Sequence, residues 1–91
     1  MTVEEFAASN GGGFSGVFLA LWWDAQGDWE KAHEVAQDVA GRDGAWVHAY
    51  LHRKEGNVGN AAYWYRQAGR AVATGDSRVE WEGIVGEMLS R

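Results

Sequence analysis

Ninety-one residues without cysteine make one domain and leave no material for a disulfide framework or a thiolate metal cluster. The net charge of −5 argues against general nucleic-acid binding, which depends on neutralising phosphates. The longest apolar run, Val17 to Trp23, is too short for a bilayer, which needs about 20 residues. No basic stretch followed by an apolar one marks a signal peptide at the N-terminus, so a cytoplasmic protein with no membrane contact is expected.

Along the chain, Thr2 and Glu5 form a capping-box pattern that predicts a short helix over residues 3–9. Gly11-Gly12-Gly13 then reads as a flexible joint, so residues 1–13 form an N-terminal arm. Phe14, Val17, Phe18, Leu21, Trp22 and Ala25 recur at helical period, and Leu19 and Trp23 widen the stripe to most of the circumference. A helix apolar nearly all round is expected between neighbours, the one place that hides both Trp22 and Trp23. Gly27 stops it and Asp28 caps a second helix ending at Gly41, with Trp29, Ala32, Ala36 and Val39 on one face. Residues 14–41 are thus a first hairpin.

A third helix from Ala45 to Glu55 groups Ala45, Trp46, Ala49 and Tyr50, with His48 and His52 on an adjoining strip. Gly56 closes it, and Asn57 or Asn60 caps a fourth helix running to Gly69, so 45–69 form a second hairpin. Residues 70–76 read as a loop. Ser77 and Glu80 suggest a second capping box before a closing helix over 77–90. Gly83 and Gly86 weaken that helix by about 1 kcal/mol each relative to alanine, which points to close packing there. No segment alternates like a strand, and the expected class is all-α.

A 29-residue shift lays Gly27-Asp28-Trp29 onto Gly56-Asn57-Val58, Ala20 onto Ala49 and Ala32 onto Ala61. The stretch Trp23-Asp24-Ala25-Gln26-Gly27-Asp28-Trp29-Glu30-Lys31-Ala32 resembles the tetratricopeptide hairpin. The stretch from Gly56 to Gly69, with Tyr63-Trp64-Tyr65-Arg66 and Ala68, is similar to the second half of Sel1-like repeats. The chain as a whole also resembles small bacterial proteins of uncharacterised role. The resemblance covers roughly residues 16–69 and implies two tetratricopeptide-like hairpins plus a C-terminal capping helix. The repeat here is shorter than the usual unit of about 34 residues and lacks its terminal proline.

His48 and His52 are the sharpest chemical feature, because i, i+4 spacing puts two imidazoles on one helix face. A zinc site needs three or four ligands, and His33 or Glu55 supplies another only if the fold brings it near. Hydrogen-bonded core or groove histidines are the preferred reading, with no metal, no cofactor and no catalytic residue assigned. Arg53, Tyr63 and Arg66 with His52 suggest a polar cluster able to clamp a carboxylate or phosphate. Asp24 and Asp28 read as a capping and solvation pair. Residues 42–74 carry five bases against two acids, a basic middle read as a solvated helix face.

The function implied is a protein-interaction or scaffold module that takes a peptide, a partner helix or a second copy of itself in a concave helical face. His48, His52, Arg53, Tyr63 and Arg66 are its candidate binding residues. The alternative is a small-ligand or metal-binding protein, enzymatic or not, built around the His48/His52 pair, with a cavity at the imidazoles as the discriminating feature.

Overall fold

The glycine punctuation of the sequence becomes six α-helices and no strand in the computed structural model, which describes residues 1–91. They are α1 (Val3–Ala8), α2 (Gly16–Ala25), α3 (Trp29–Gln37), α4 (Gly41–Glu55), α5 (Val58–Ala68) and α6 (Ser77–Leu89). The chain is all-α.

Local chemistry accounts for most of the boundaries. Thr2 and Glu5 close the expected capping box on α1. The turns after α2 and α4 have the same hydrogen-bond pattern 29 residues apart. Asp28 N–H donates to the Trp23 carbonyl and Asn57 N–H to that of His52, at 3.0 and 2.9 Å. Gly27 and Gly56 take left-handed backbone (φ +85° and +92°), which an L side chain resists. The Asp28 and Asn57 side chains then accept from the N–H groups of Lys31 and Asn60, capping α3 and α5. Ala20, Ala32, Ala49 and Ala61 are all buried, so α2 meets α3 and α4 meets α5 through small residues.

Three helix starts differ from expectation, the first being that of α2, which begins at Gly16 and leaves Phe14 outside it. Gly41 opens α4 instead of closing α3, which ends at Gln37, so the third helix begins four residues before Ala45. The α6 cap is Asp76, whose carboxylate accepts from Arg78 N–H, and Ser77 is already helical. Glu80 is no capping partner because Arg53 and Tyr65 claim its carboxylate.

The centre of the fold also moves. Every residue of α4 from Gly44 to His52 is buried, whereas Val17, Phe18, Leu19, Trp22 and Trp23 of α2 are only half-buried. α4 is the helix packed between neighbours, touching α2, α3, α5 and α6. Its first turn explains Gly44: a Cβ there would lie 2.0 Å from the Val39 carbonyl oxygen. Gly83 and Gly86 have open space beside them, so the close approach inferred for α6 is absent.

The N-terminal arm docks on its own chain. Phe6 is fully buried against Phe14, Phe18 and Trp81, and Trp22 Nε1 donates to the Ser9 carbonyl at 3.0 Å. Trp81 of α6 in turn donates to the Leu21 carbonyl at 3.0 Å. Each indole N–H thus finds an acceptor while its ring fills the core. Asp24 is buried rather than solvated. Its carboxylate takes the Tyr50 hydroxyl and, at 2.8 Å, Lys54 Nζ. Burial and that carboxylate push the Tyr50 phenol above its ordinary range, so it remains a hydrogen-bond donor.

Candidate metal centre

The i, i+4 spacing that sets His48 and His52 on one face of α4 is completed by a third imidazole from α3. Trp29 Nε1 donates to the Leu51 carbonyl at 2.8 Å and fixes the register of α3 on α4. One turn along α3, His33 stacks on the Trp29 ring (5.0 Å, 8°) and arrives opposite His48. The ring centroids of His33, His48 and His52 stand 4.7, 5.1 and 4.8 Å apart. One nitrogen from each ring lies within 4.8 Å of the other two. His33 Nε2 and His48 Nε2 are 3.0 Å apart, within hydrogen-bond distance, and the tautomers of the two rings set which one donates.

Aromatic side chains hold the cluster. Trp64 of α5 stacks on His48 at 4.2 Å and 20°, while Trp29 lies edge-on to His52. His48 and His52 are each 8 % exposed, and His33 is half-buried on the solvent side. Burial pushes His48 down to about 4, with the neighbouring imidazoles acting in the same direction. Burial, then the neighbouring His52 imidazole, also lowers His33. Two of the rings are thus held neutral, the state in which imidazole binds a metal.

Glu55 is the remaining polar contact of the group. Its Oε2 stands 2.7 Å from His52 Nδ1. A carboxylate there selects the Nδ1–H tautomer and leaves Nε2 as the ring's free lone pair. Glu55 therefore supports His52 from behind and is not a member of the three-nitrogen set.

The other candidate binding residues lie elsewhere. Arg53 points away from His52, to Glu80 Oε1 at 2.9 Å and to the Gly75 carbonyl. Tyr65 also donates to Glu80, so this network ties α6 and the 70–76 loop to α4 and α5. Tyr63 is 48 % exposed and lies edge-on to Trp64, and Arg66 is exposed with no side-chain partner. The polar cluster of His52, Arg53, Tyr63 and Arg66 does not form. Sequence reasoning found two of the three clustered histidines and left His33 conditional. The signal for His33 was its i, i+4 relation to Trp29, beside the buried Ala32/Ala36 face of α3.

Comparison with protein-family models, with curated proteins and with solved structures finds no match to this chain. What the site does is therefore argued from its own geometry. Two surface clefts, of about 370 and 350 Å³, are lined by residues other than the histidines. The cluster has no cavity for an organic ligand. The small-ligand form of the alternative therefore lacks its discriminating cavity, and what the cluster retains is three ligand nitrogens within 4.8 Å of one another.

Proposed function

We propose that the protein binds a divalent transition-metal ion through His33, His48 and His52. The observation that carries this reading is the convergence of three imidazole nitrogens, two of them on buried rings, from two helices. Zinc bound tetrahedrally at about 2.05 Å to nitrogen needs ligand atoms about 3.3 Å apart. The His33–His48 pair, at 3.0 Å, stands close to that spacing, and the His52 nitrogen lies within 4.8 Å of both, so the set must contract by about 1 Å or more around an ion. A neutral nitrogen set without thiolate or carboxylate suits Zn(II), Co(II), Ni(II) and Cu(II) rather than Ca(II) or Mg(II).

Isothermal titration with Zn(II), repeated on His33→Ala, His48→Ala and His52→Ala, tests this. One ion per chain is expected for the wild type, with binding lost in each variant. Ni(II) or Cu(II) is expected to quench Trp29 and Trp64 on binding. Saturation at 100 times Kd is expected to stabilise the fold by about 2.7 kcal/mol. Equal binding by wild type and all three variants would end the proposal.

A second reading, capture of a protein partner or a second copy, rests on Tyr63 and Arg66, which stand exposed on α5 beside Trp64. The tetratricopeptide-like resemblance supports that reading by analogy alone. Sedimentation velocity and a pull-down with Tyr63→Ala/Arg66→Ala test it: a monomer with no captured partner would count against it.

A further inference from the structure

The geometry points to an open fourth coordination position on the tri-histidine centre, filled by an exchangeable small Lewis base that the chain does not supply. This inference rests on the metal reading above. Zinc-type ions are four-coordinate in closed structural sites, and sites with three protein ligands keep the fourth position for water or substrate. Only His33, His48 and His52 gather their ligand atoms here, and no Asp or Glu joins them. Glu55, the carboxylate in contact with the group, is spent on His52 Nδ1 at 2.7 Å. A carboxylate at Nδ1 lies on the far side of the ring from an ion on Nε2, so it cannot serve both places.

The charge and the enclosure define the ligand class. Three neutral imidazoles leave the ion its full double positive charge, which favours an anionic base. Trp29 and Trp64 wall the rings, and the surface clefts lie elsewhere, so the base is restricted to a few atoms. Access runs past His33, the one histidine of the three that is only half-buried. Hydroxide, azide and cyanide fit this description; a nucleotide or a peptide side chain does not.

The test uses the full chain loaded with Co(II), whose visible spectrum reports coordination number and ligand exchange, titrated with sodium azide. A saturable spectral shift with one azide per metal is expected in the wild type. A histidine-dependent Co(II) spectrum that azide leaves unchanged would overturn the open position while leaving the metal site standing. A Glu55→Gln protein that gains an azide response absent in wild type would overturn it too, by identifying Glu55 as the fourth ligand. A wild-type spectrum equal to that of free Co(II), as in His48→Ala, would overturn both readings.

Discussion

Alanine at position 44 is expected to destabilise the protein, although alanine is the better helix former by about 1 kcal/mol. The new methyl would sit 2.0 Å from the Val39 carbonyl oxygen and 2.8 Å from its carbon. Ordinary contact begins near 3.4 Å, so the 38–40 link must retreat by about 1.4 Å. Adding one methyl to a filled site costs roughly 1–3 kcal/mol, and a backbone obstacle puts this case at the upper end. After the gain in helix propensity, a net loss of about 2 kcal/mol remains. At about 4–8 °C per kcal/mol for a domain this size, Tm falls by roughly 8–16 °C. Gly83→Ala is the matched control, because its Cβ meets open space on an exposed face. It is expected to raise Tm by roughly 4–8 °C. The 38–40 link also sets α3 against α4, so Gly44→Ala is expected to weaken Zn(II) binding beyond its effect on Tm, whereas Gly83→Ala leaves binding unchanged. Scanning calorimetry and zinc titration of both variants check the pair. A Gly44→Ala protein as stable as wild type would refute the packing argument.

Glu55→Ala is expected to weaken Zn(II) binding by about 10- to 100-fold through loss of the His52 tautomer, with Glu55→Gln retaining most of the affinity because its amide oxygen still accepts from Nδ1–H. Zinc competition with a chromophoric chelator reads the affinity, and ring ¹⁵N shifts of His52 read the tautomer; unchanged values in Glu55→Ala would remove Glu55 from the site. Tyr50→Phe leaves the buried Asp24 carboxylate with Lys54 alone and is expected to cost about 1–3 kcal/mol in urea unfolding. The metal-free protein is expected to lose stability as pH falls from about 6.5 to about 4, because His48 stays neutral when folded and takes up a proton when unfolded. Above pH 6.5 both states are neutral and the effect vanishes; below 4 it is complete, at up to about 3 kcal/mol. Urea melts of wild type and His48→Gln across this range measure it, and parallel pH curves for the two proteins would refute it.

Local signals in this chain agree with the structure at the caps and at three of the helix-ending glycines, whereas Gly41, also at positive φ, opens α4. Thr2, Asp28 and Asn57 cap because a short oxygen-bearing side chain reaches the free N–H groups of its own helix. Gly27, Gly56 and Gly69 end helices because each takes a positive φ that other residues resist. The misreadings share a cause. Glu80 and Ser77 look like a capping pair until Arg53 and Tyr65, from two other helices, take the carboxylate. Asp24 looks solvated until Tyr50 and Lys54 close over it. Gly83 and Gly86 look packed until the space beside them proves open, because glycine reports a close approach only when the approaching chain is known.

Periodicity and punctuation by themselves determined an all-helical chain, its turns at Gly27 and Gly56, and the one-face pairing of His48 with His52. Which helix lies at the centre was decided by tertiary structure, since α2 is the more apolar of the two and α4 is nonetheless the one enclosed. The third histidine was decided there as well. Spacing along one helix specifies neighbours within that helix, whereas the meeting of His33 with His48 depends on the register of α3 on α4, set by the Trp29–Leu51 hydrogen bond. A site assembled across two helices exists only once they pack, and packing is a property of the whole core.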